Sequence, residues 1–137
     1  MPDVYVNIAG IPELVAHTVK KDGLVVGAAL SISTLIGLLE TNGALSASYA
    51  VLARHLSQIA NKPVRNMASW GGNLMLAHDH TDFPSDIFTI MAAAGALLTV
   101  ASSAGTLQLN LFEFLQQDMT GRVIVNMSIP VLAVSKK

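Results

Sequence analysis

Charge and cysteine are what this sequence has least of. Its 137 residues include no cysteine, which excludes disulfides, cysteine-ligated iron–sulfur clusters and thiol catalysis within the chain. Lysine, arginine, aspartate and glutamate make up only 12% of the residues, against roughly 25% in an average soluble domain. The formal net charge is -1, so nothing suggests a surface for nucleic acid or an anionic membrane. No apolar run reaches the ~18 residues that a membrane span needs. The stretch from Val25 to Leu39 comes nearest, and Ser31, Ser33 and Thr34 interrupt it. No basic segment precedes an apolar one at the start, so no signal peptide is read and a cytoplasmic chain is expected. There is no GxGxxG, P-loop or GxSxG pattern, which removes the Rossmann and Walker phosphate sites and the hydrolase elbow.

What the chain has in excess is apolar residues, at 52%. Two accounts fit. Apolar surface is hidden in a homo-oligomer or against other segments, or the core is rich in small residues, since much of the excess is alanine. The length suits one domain, residues 1–137, with one core.

Local patterns suggest an α+β unit in which helices pack on a mostly antiparallel sheet. Val4–Ile8 reads as a short strand. Ile11–Leu14 can open one helical turn, with Pro12 early in it. Lys20-Lys21-Asp22-Gly23 reads as a hairpin turn in which Asp-Gly supplies positive φ, joining Val15–Val19 to Leu24–Leu30. Ser33 is the expected N-cap of a helix over 34–40 that Asn42-Gly43 ends. A longer helix is expected over 44–60, with Tyr49, Leu52, Ala53, Leu56, Ile59 and Ala60 on its apolar stripe. Residues 84–94 form another, with Pro84 first and Ser85-Asp86 in its opening turn. A hairpin pairs 97–101 with 106–109, a short helix covers 111–116, and a last strand runs from Arg122 to Ile129, where Pro130 stops it.

The stretch from Asn61 to Asp82 has no clean period and holds most of the polar side chains of interest. It reads as a long irregular segment, the place where a site is expected. Gly71-Gly72 would let backbone N–H groups approach a ligand with no Cβ in the way. Ser69 and Asn73 could hydrogen-bond a ribose or a phosphate. His78 and His80, spaced to point the same way on an extended strand, could be read as a metal pair. No further ligand stands at a recognisable spacing, so a solvated loop is the preferred reading, no metal is expected and the pair is only a weak alternative. Asp86 at a helix start is stabilised by the helix dipole whether or not it binds anything.

The run PVRNMASWGGN, Pro63 to Asn73, resembles the flavin-domain loop of the molybdenum hydroxylases. The following LMLAHDHTDFPSDIFTIMAAAGALLTV is similar to the aldehyde oxidase branch, arthropod members especially, and to xanthine dehydrogenase. The PDVYVNI start, LVVGAALSISTLIGLLE and LFEFLQQDMTGRVIVNMSIP extend the resemblance along nearly the whole chain. It implies the second subdomain of an FAD-binding domain, in a protein that passes electrons from molybdenum through iron–sulfur clusters and flavin. Carried over by position, Ser69, Gly71, Gly72 and Asn73 would line the dinucleotide, and Asp86 would hydrogen-bond its sugar. Ile59 and Ala60 would approach the adenine, and Ile124 would lie near the isoalloxazine ring. The chain departs from the family at Ala77, where lysine is usual, at Ala93, often glutamate, and at the bulkier Trp70. The Val-Gly-Asn-Thr-type pyrophosphate loop, the C-terminal flavin subdomain and the iron–sulfur and molybdopterin domains are not in this sequence. The expectation is therefore a truncated, oxidoreductase-like chain that binds FAD weakly or not at all alone. The alternative is a truncated domain reused as a binding or self-assembling structural protein.

Overall fold

Two aromatic side chains, Trp70 and Tyr49, are fully buried and end on backbone carbonyls of the central sheet. The computed structural model that places them describes residues 8, 10–59, 62–80, 82 and 84–131. The expected strand over 4–8 lies outside these residues, except for Ile8, which is not in a strand.

The sheet has five antiparallel strands in the order β1-β2-β5-β3-β4: β1 (His17–Lys20), β2 (Gly23–Gly27), β3 (Leu97–Ser102), β4 (Gly105–Asn110) and β5 (Val123–Pro130). Seven helices accompany it among the described residues: α1 (Pro12–Val15), α2 (Ile32–Thr41), α3 (Ala47–Leu56), α4 (Lys62–Met67), α5 (Trp70–Asp79), α6 (Asp86–Ala94) and α7 (Leu111–Gln116). The α+β reading with an antiparallel sheet is what the chain adopts. Leu24, Val26, Leu98, Val100, Ile124, Met127 and Ile129 join the core with Leu35, Leu39, Leu56, Leu74, Met91 and Phe114 from the helices.

The first hairpin differs from expectation in its turn. Lys20 pairs with Gly23, so Lys21-Asp22 closes the loop. Gly23 is not among the glycines with positive φ. It is glycine because a Cβ there would stand 2.6 Å from the Ile129 carbonyl oxygen on β5. The strand also ends at Gly27 rather than at Leu30. Conversely, Pro130 belongs to the last strand instead of stopping it, and pairs with Gly23. A shift of register between Thr99 and Val100 bends β3 against β5.

Helix caps locate the boundaries. Ser31, not Ser33, caps α2, its hydroxyl oxygen accepting from the Thr34 N–H at 3.0 Å. Ser33 lies in the first turn and donates to Asn66 Oδ1 of α4. Helix α3 starts at Ala47, later than its apolar stripe suggests, and buries Tyr49, Leu52, Ala53 and Leu56 as that stripe requires. Ile59 is half-buried just beyond it, and Ala60 lies outside the described residues. Pro84 precedes α6, whose N-cap is Ser85 and whose C-cap Gly95 adopts φ 76, a left-handed value that suits glycine. Asn110 and Glu113 form a reciprocal capping box on α7.

The largest departure is the segment 61–82. It is not irregular: it holds α4 and α5. Helix α4 buries no residue. Helix α5 is pinned at its start. The Trp70 indole N–H donates to the Gly27 carbonyl at 2.8 Å, and both groups are buried. The backbone N–H of Gly71 donates to the Ala28 carbonyl at 3.1 Å, and that of Trp70 to Leu30 at 3.2 Å. An isolated bridge between Ser31 and Ser69 sets the N-termini of α2 and α5 side by side.

This docking separates the two glycines. A Cβ on Gly71 would lie 2.6 Å from the Ala28 carbonyl oxygen, a backbone atom that cannot swing aside. A Cβ on Gly72 would meet only the Ser69 side-chain oxygen, at 2.9 Å. Gly71→Ala is therefore expected to destabilise the fold by about 1–3 kcal/mol through overpacking. Gly72→Ala should cost clearly less, because alanine's helix propensity offsets part of the disturbed cap. Urea unfolding midpoints of the two variants measure the difference, and equal losses would contradict this account.

Candidate functional site

Ser69 stands at the N-cap of α5 with extended backbone (φ -84, ψ 152), and its oxygen accepts the Gly72 N–H at 3.0 Å. Asn73 follows one turn later, on the same face of the helix. Its Oδ1 accepts the Ser85 hydroxyl at 2.6 Å. Ser85 in turn caps α6 by accepting the Phe88 N–H at 3.0 Å. One serine thus closes a helix and ties it to its neighbour. Asp86 comes next, exposed, in the first turn of α6. The arrangement brings Ser69, Gly72, Asn73 and Asp86 to adjoining ends of α5 and α6.

The backbone amides do not fit the expectation of a ligand cradle. Gly71 is buried against Ala28 and its N–H is used there; Trp70's goes to Leu30 and Gly72's to the Ser69 cap. The absent Cβ of Gly71 serves helix–strand contact rather than access to a ligand. What remains at this edge is side-chain chemistry. The Ser69 hydroxyl, accepting from Gly72, keeps its own proton to donate. The Asn73 amide, accepting through Oδ1, keeps its NH2. The Asp86 carboxylate adds acceptors. Such groups suit neutral hydroxyls of a sugar or polyol. They supply no cation and no spare backbone N–H for a pyrophosphate.

The remaining expected residues scatter. Ile59 lies at the end of α3, next to Gln58, which shares a polar hollow of about 290 Å³ with His55, Asp86, Thr89 and Ile90. Ile124 is 3% exposed and belongs to the core under the helices, so the structure does not bring it to the surface shared by the others. Sequence reasoning placed Ser85 only in a first turn and missed its link to Asn73. The signal was present: a serine three residues before Phe88, at the start of an apolar helical pattern, is the usual N-cap position.

The histidines are not on an extended strand. His78 is in the last turn of α5 and His80 is its C-cap. The His78 ring packs on Phe114, with centroids 5.1 Å apart. Nδ1 lies 2.8 Å from an Asp79 carboxylate oxygen and Nε2 is hydrogen-bonded to the Gln117 carbonyl. No group of three or more His, Asp or Glu side chains among the described residues is arranged to hold a metal ion.

With this geometry in view, the family can be stated. The sequence profile of the FAD binding domain in molybdopterin dehydrogenase matches residues 1–132. This chain belongs to that family. It is 45% identical over 121 residues to probable aldehyde oxidase 4 of Oryza sativa subsp. japonica, an alignment covering 84% of this chain and 14% of that protein. It is 35% identical over 133 residues to abscisic-aldehyde oxidase of Arabidopsis thaliana, covering 93% of this chain and 10% of that one. Among solved structures, quinoline 2-oxidoreductase from Pseudomonas putida 86 superposes with a TM-score of 0.70 at 26% identity, over 88% of this chain and 41% of that one. The Cu,Mo-CO dehydrogenase superposes with a TM-score of 0.72 over 90% of this chain and 42% of that one; at 21% identity it attests the fold. The chain thus spans a small part of the aldehyde oxidases it matches and less than half of these solved chains. No helix among the described residues is long and apolar enough to cross a membrane.

His78, at the far end of α5 from Ser69, gives the fold a pH signature. Burial works against the charged ring, but the hydrogen bonds to Asp79 and the Gln117 carbonyl, with the negative charge of Asp79 and Asp118, outweigh it. The pKa is raised above its ordinary value of 6.5. Both ring nitrogens face acceptors, so only the imidazolium satisfies both. A raised folded-state pKa means that the stabilisation is full below pH ~6.5 and is lost as pH rises through the folded value. The stability of the parent chain relative to His78→Gln should therefore fall between mildly acidic and mildly alkaline pH. Thermal melts of both proteins across that range test this, and a difference that is flat or grows with pH would contradict it.

Proposed function

We propose that the edge formed by Ser69, Gly72, Asn73 and Asp86 is one half of a dinucleotide site. In this reading it holds the sugar hydroxyls of FAD in a flavin domain of the aldehyde oxidase type. The observation that carries the proposal is the Ser85–Asn73 hydrogen bond, which aligns the exposed polar ends of α5 and α6. Asp86 accepts from a ribose hydroxyl, while Ser69 and the Asn73 amide donate. Gly72, exposed and without a Cβ, leaves room for close approach. Ile59 offers an apolar contact to the adenine; Ala60 is assigned the same part by position alone. Bound flavin would supply the electron-carrying chemistry, and this chain's part is binding and orientation. Ile124 could contribute to the ring environment only from beneath the surface.

The chemistry of the donors limits this half-site. A pyrophosphate carries about two negative charges and needs several donors in place of its water. The first amides of α5 are already engaged, so the donors for the phosphates come from segments outside this sequence. Two outcomes follow. The purified chain should show no stoichiometric flavin absorbance that survives dialysis. When the remaining flavin-domain segments of a relative are supplied in trans, FAD should be retained, and Asp86→Ala should weaken its binding about tenfold or more, as expected for a hydrogen bond to a charged group. A dialysis-resistant flavin band in the chain alone would overturn the half-site reading; unaltered affinity in Asp86→Ala would overturn the role of Asp86.

A second reading, a self-assembling protein without flavin, draws on exposed apolar side chains: Met67 is 87% exposed and Phe112 64%. Native mass spectrometry separates the two, since a defined homo-oligomer without flavin favours assembly.

A further inference from the structure

Beyond Asp86 the polar hollow opens into a second one of about 490 Å³ between α3 and α6, and the two share His55, Thr89 and Ile90. The body of this groove is apolar: Val51 and Leu52 from α3 face Ile90, Ala93 and Ala94 from α6. Its width has a simple cause. Ala93 and Ala94 are small, so two packed helices leave a trough where larger side chains would interdigitate. Its volume falls within the roughly 300–1,000 Å³ of small-molecule sites, which are mostly apolar with a few polar groups at defined places. Here those groups are gathered at one end: the His55 imidazole, the Gln58 amide, the Thr89 hydroxyl and the Asp86 carboxylate. The Thr89 hydroxyl donates to the Ser85 carbonyl at 3.2 Å, which leaves its oxygen as an acceptor.

We infer that this α3–α6 groove binds a small amphipathic molecule, an aryl or alkyl body ending in a primary amine, with the body against Ile90 and Ala93 and the amine at Asp86. Charge complementarity selects the head group. Among the described residues Asp86 is the one Asp, Glu, Lys or Arg side chain lining either hollow. An ammonium placed there gains a charge-assisted hydrogen bond, whereas a carboxylate meets like charge. The apolar body follows from the groove walls, whose exposed members, Val51 at 45% among them, are otherwise wetted. The inference meets the dinucleotide reading only at Asp86. Its test contains no flavin, so either can fail alone.

The test uses the full 137-residue chain and three matched probes: 3-phenylpropylamine, 3-phenylpropanol and 3-phenylpropionate. Methyl resonances of Ile90 and Ala93 are followed during titration. The expected result is saturable shifts at both residues, with the amine binding more tightly than the alcohol and the carboxylate about tenfold or more weaker than the amine. Asp86→Asn should abolish the preference for amine over alcohol while leaving the alcohol's affinity in place. Ala93→Glu, at an exposed position, should weaken the alcohol by narrowing the trough and placing a charge in it, with the thermal melt verifying that the fold is kept. Carboxylate binding as tight as the amine, shifts that bypass Ile90 and Ala93, or no saturation at millimolar probe would each overturn the inference.

Discussion

The contact on which the rest of this structure depends is the docking of the first turn of α5 onto the end of β2. Three hydrogen bonds make it, from the Trp70 indole, the Trp70 amide and the Gly71 amide to carbonyls of Gly27, Leu30 and Ala28. Gly27 is the last residue of β2, and Ala28 and Leu30 follow where the backbone leaves the sheet. A buried carbonyl without a donor costs about 1–3 kcal/mol, so the docking completes the sheet as much as it positions the helix. Trp70 is fully buried and brings the large apolar surface of an indole together with one N–H. The ring fills the space under the helices, and its N–H finds a buried acceptor in the Gly27 carbonyl, which also takes the Leu30 N–H at 3.2 Å. Tyr49 repeats the device from α3. Its hydroxyl donates to the Ile129 carbonyl at 2.6 Å from a fully buried ring, and desolvation pushes its pKa up, which keeps it a neutral donor.

That docking decides what the polar edge can do. A helix N-terminus usually offers unpaired N–H groups to an anion. In α5 those groups are spent on the sheet and on the Ser69 cap, so structural integrity and anion binding draw on the same few donors and integrity takes them. The side chains that remain are neutral apart from Asp86, and they are placed by helix caps rather than by loop conformation. Ser85 is the hinge of this arrangement. It is buried, it caps α6, and its hydroxyl occupies the Asn73 carbonyl, which leaves the amide NH2 free of that bond.

Much of the fold could be read from the residues because its signals are local. The hairpin between β3 and β4, the α7 helix and the α3 stripe each state their period or their turn within a few positions, and the family motifs extend along the whole chain. The segment 61–82 could not be read in that way, for a physical reason. Helix α4 buries nothing, so it has no apolar stripe to detect. Helix α5 does carry one, since Trp70, Leu74 and Ala77 follow helical spacing and are buried. Gly71-Gly72 and the run of histidine and aspartate around it obscure that stripe, because adjacent glycines weigh against a helix by propensity. The propensity is overridden by tertiary contact: Gly71 is there for Ala28, across 43 positions of sequence from a partner that no window contains. The same holds for Gly23, which a hairpin rule assigns to positive φ and the structure assigns to contact with Ile129. Glycine's two uses, conformational freedom and close approach, look alike in a sequence.

Helix α4 shows how a helix with no buried residue is held. A short helix is marginal alone, and α4 has six residues. Its place is fixed by specific polar links, Ser33 to Asn66 and the Arg65 guanidinium to the Ile59 carbonyl. Its apolar residues Val64 and Met67 point outward. The helix ends two residues before Ser69, at the edge whose supply of phosphate donors is short. Val64 and Met67 leave an exposed apolar strip on a helix that otherwise carries Lys62, Arg65 and Asn66. Exposed apolar side chains beside a helix held by polar links are where a covering contact would gain most from the hydrophobic effect.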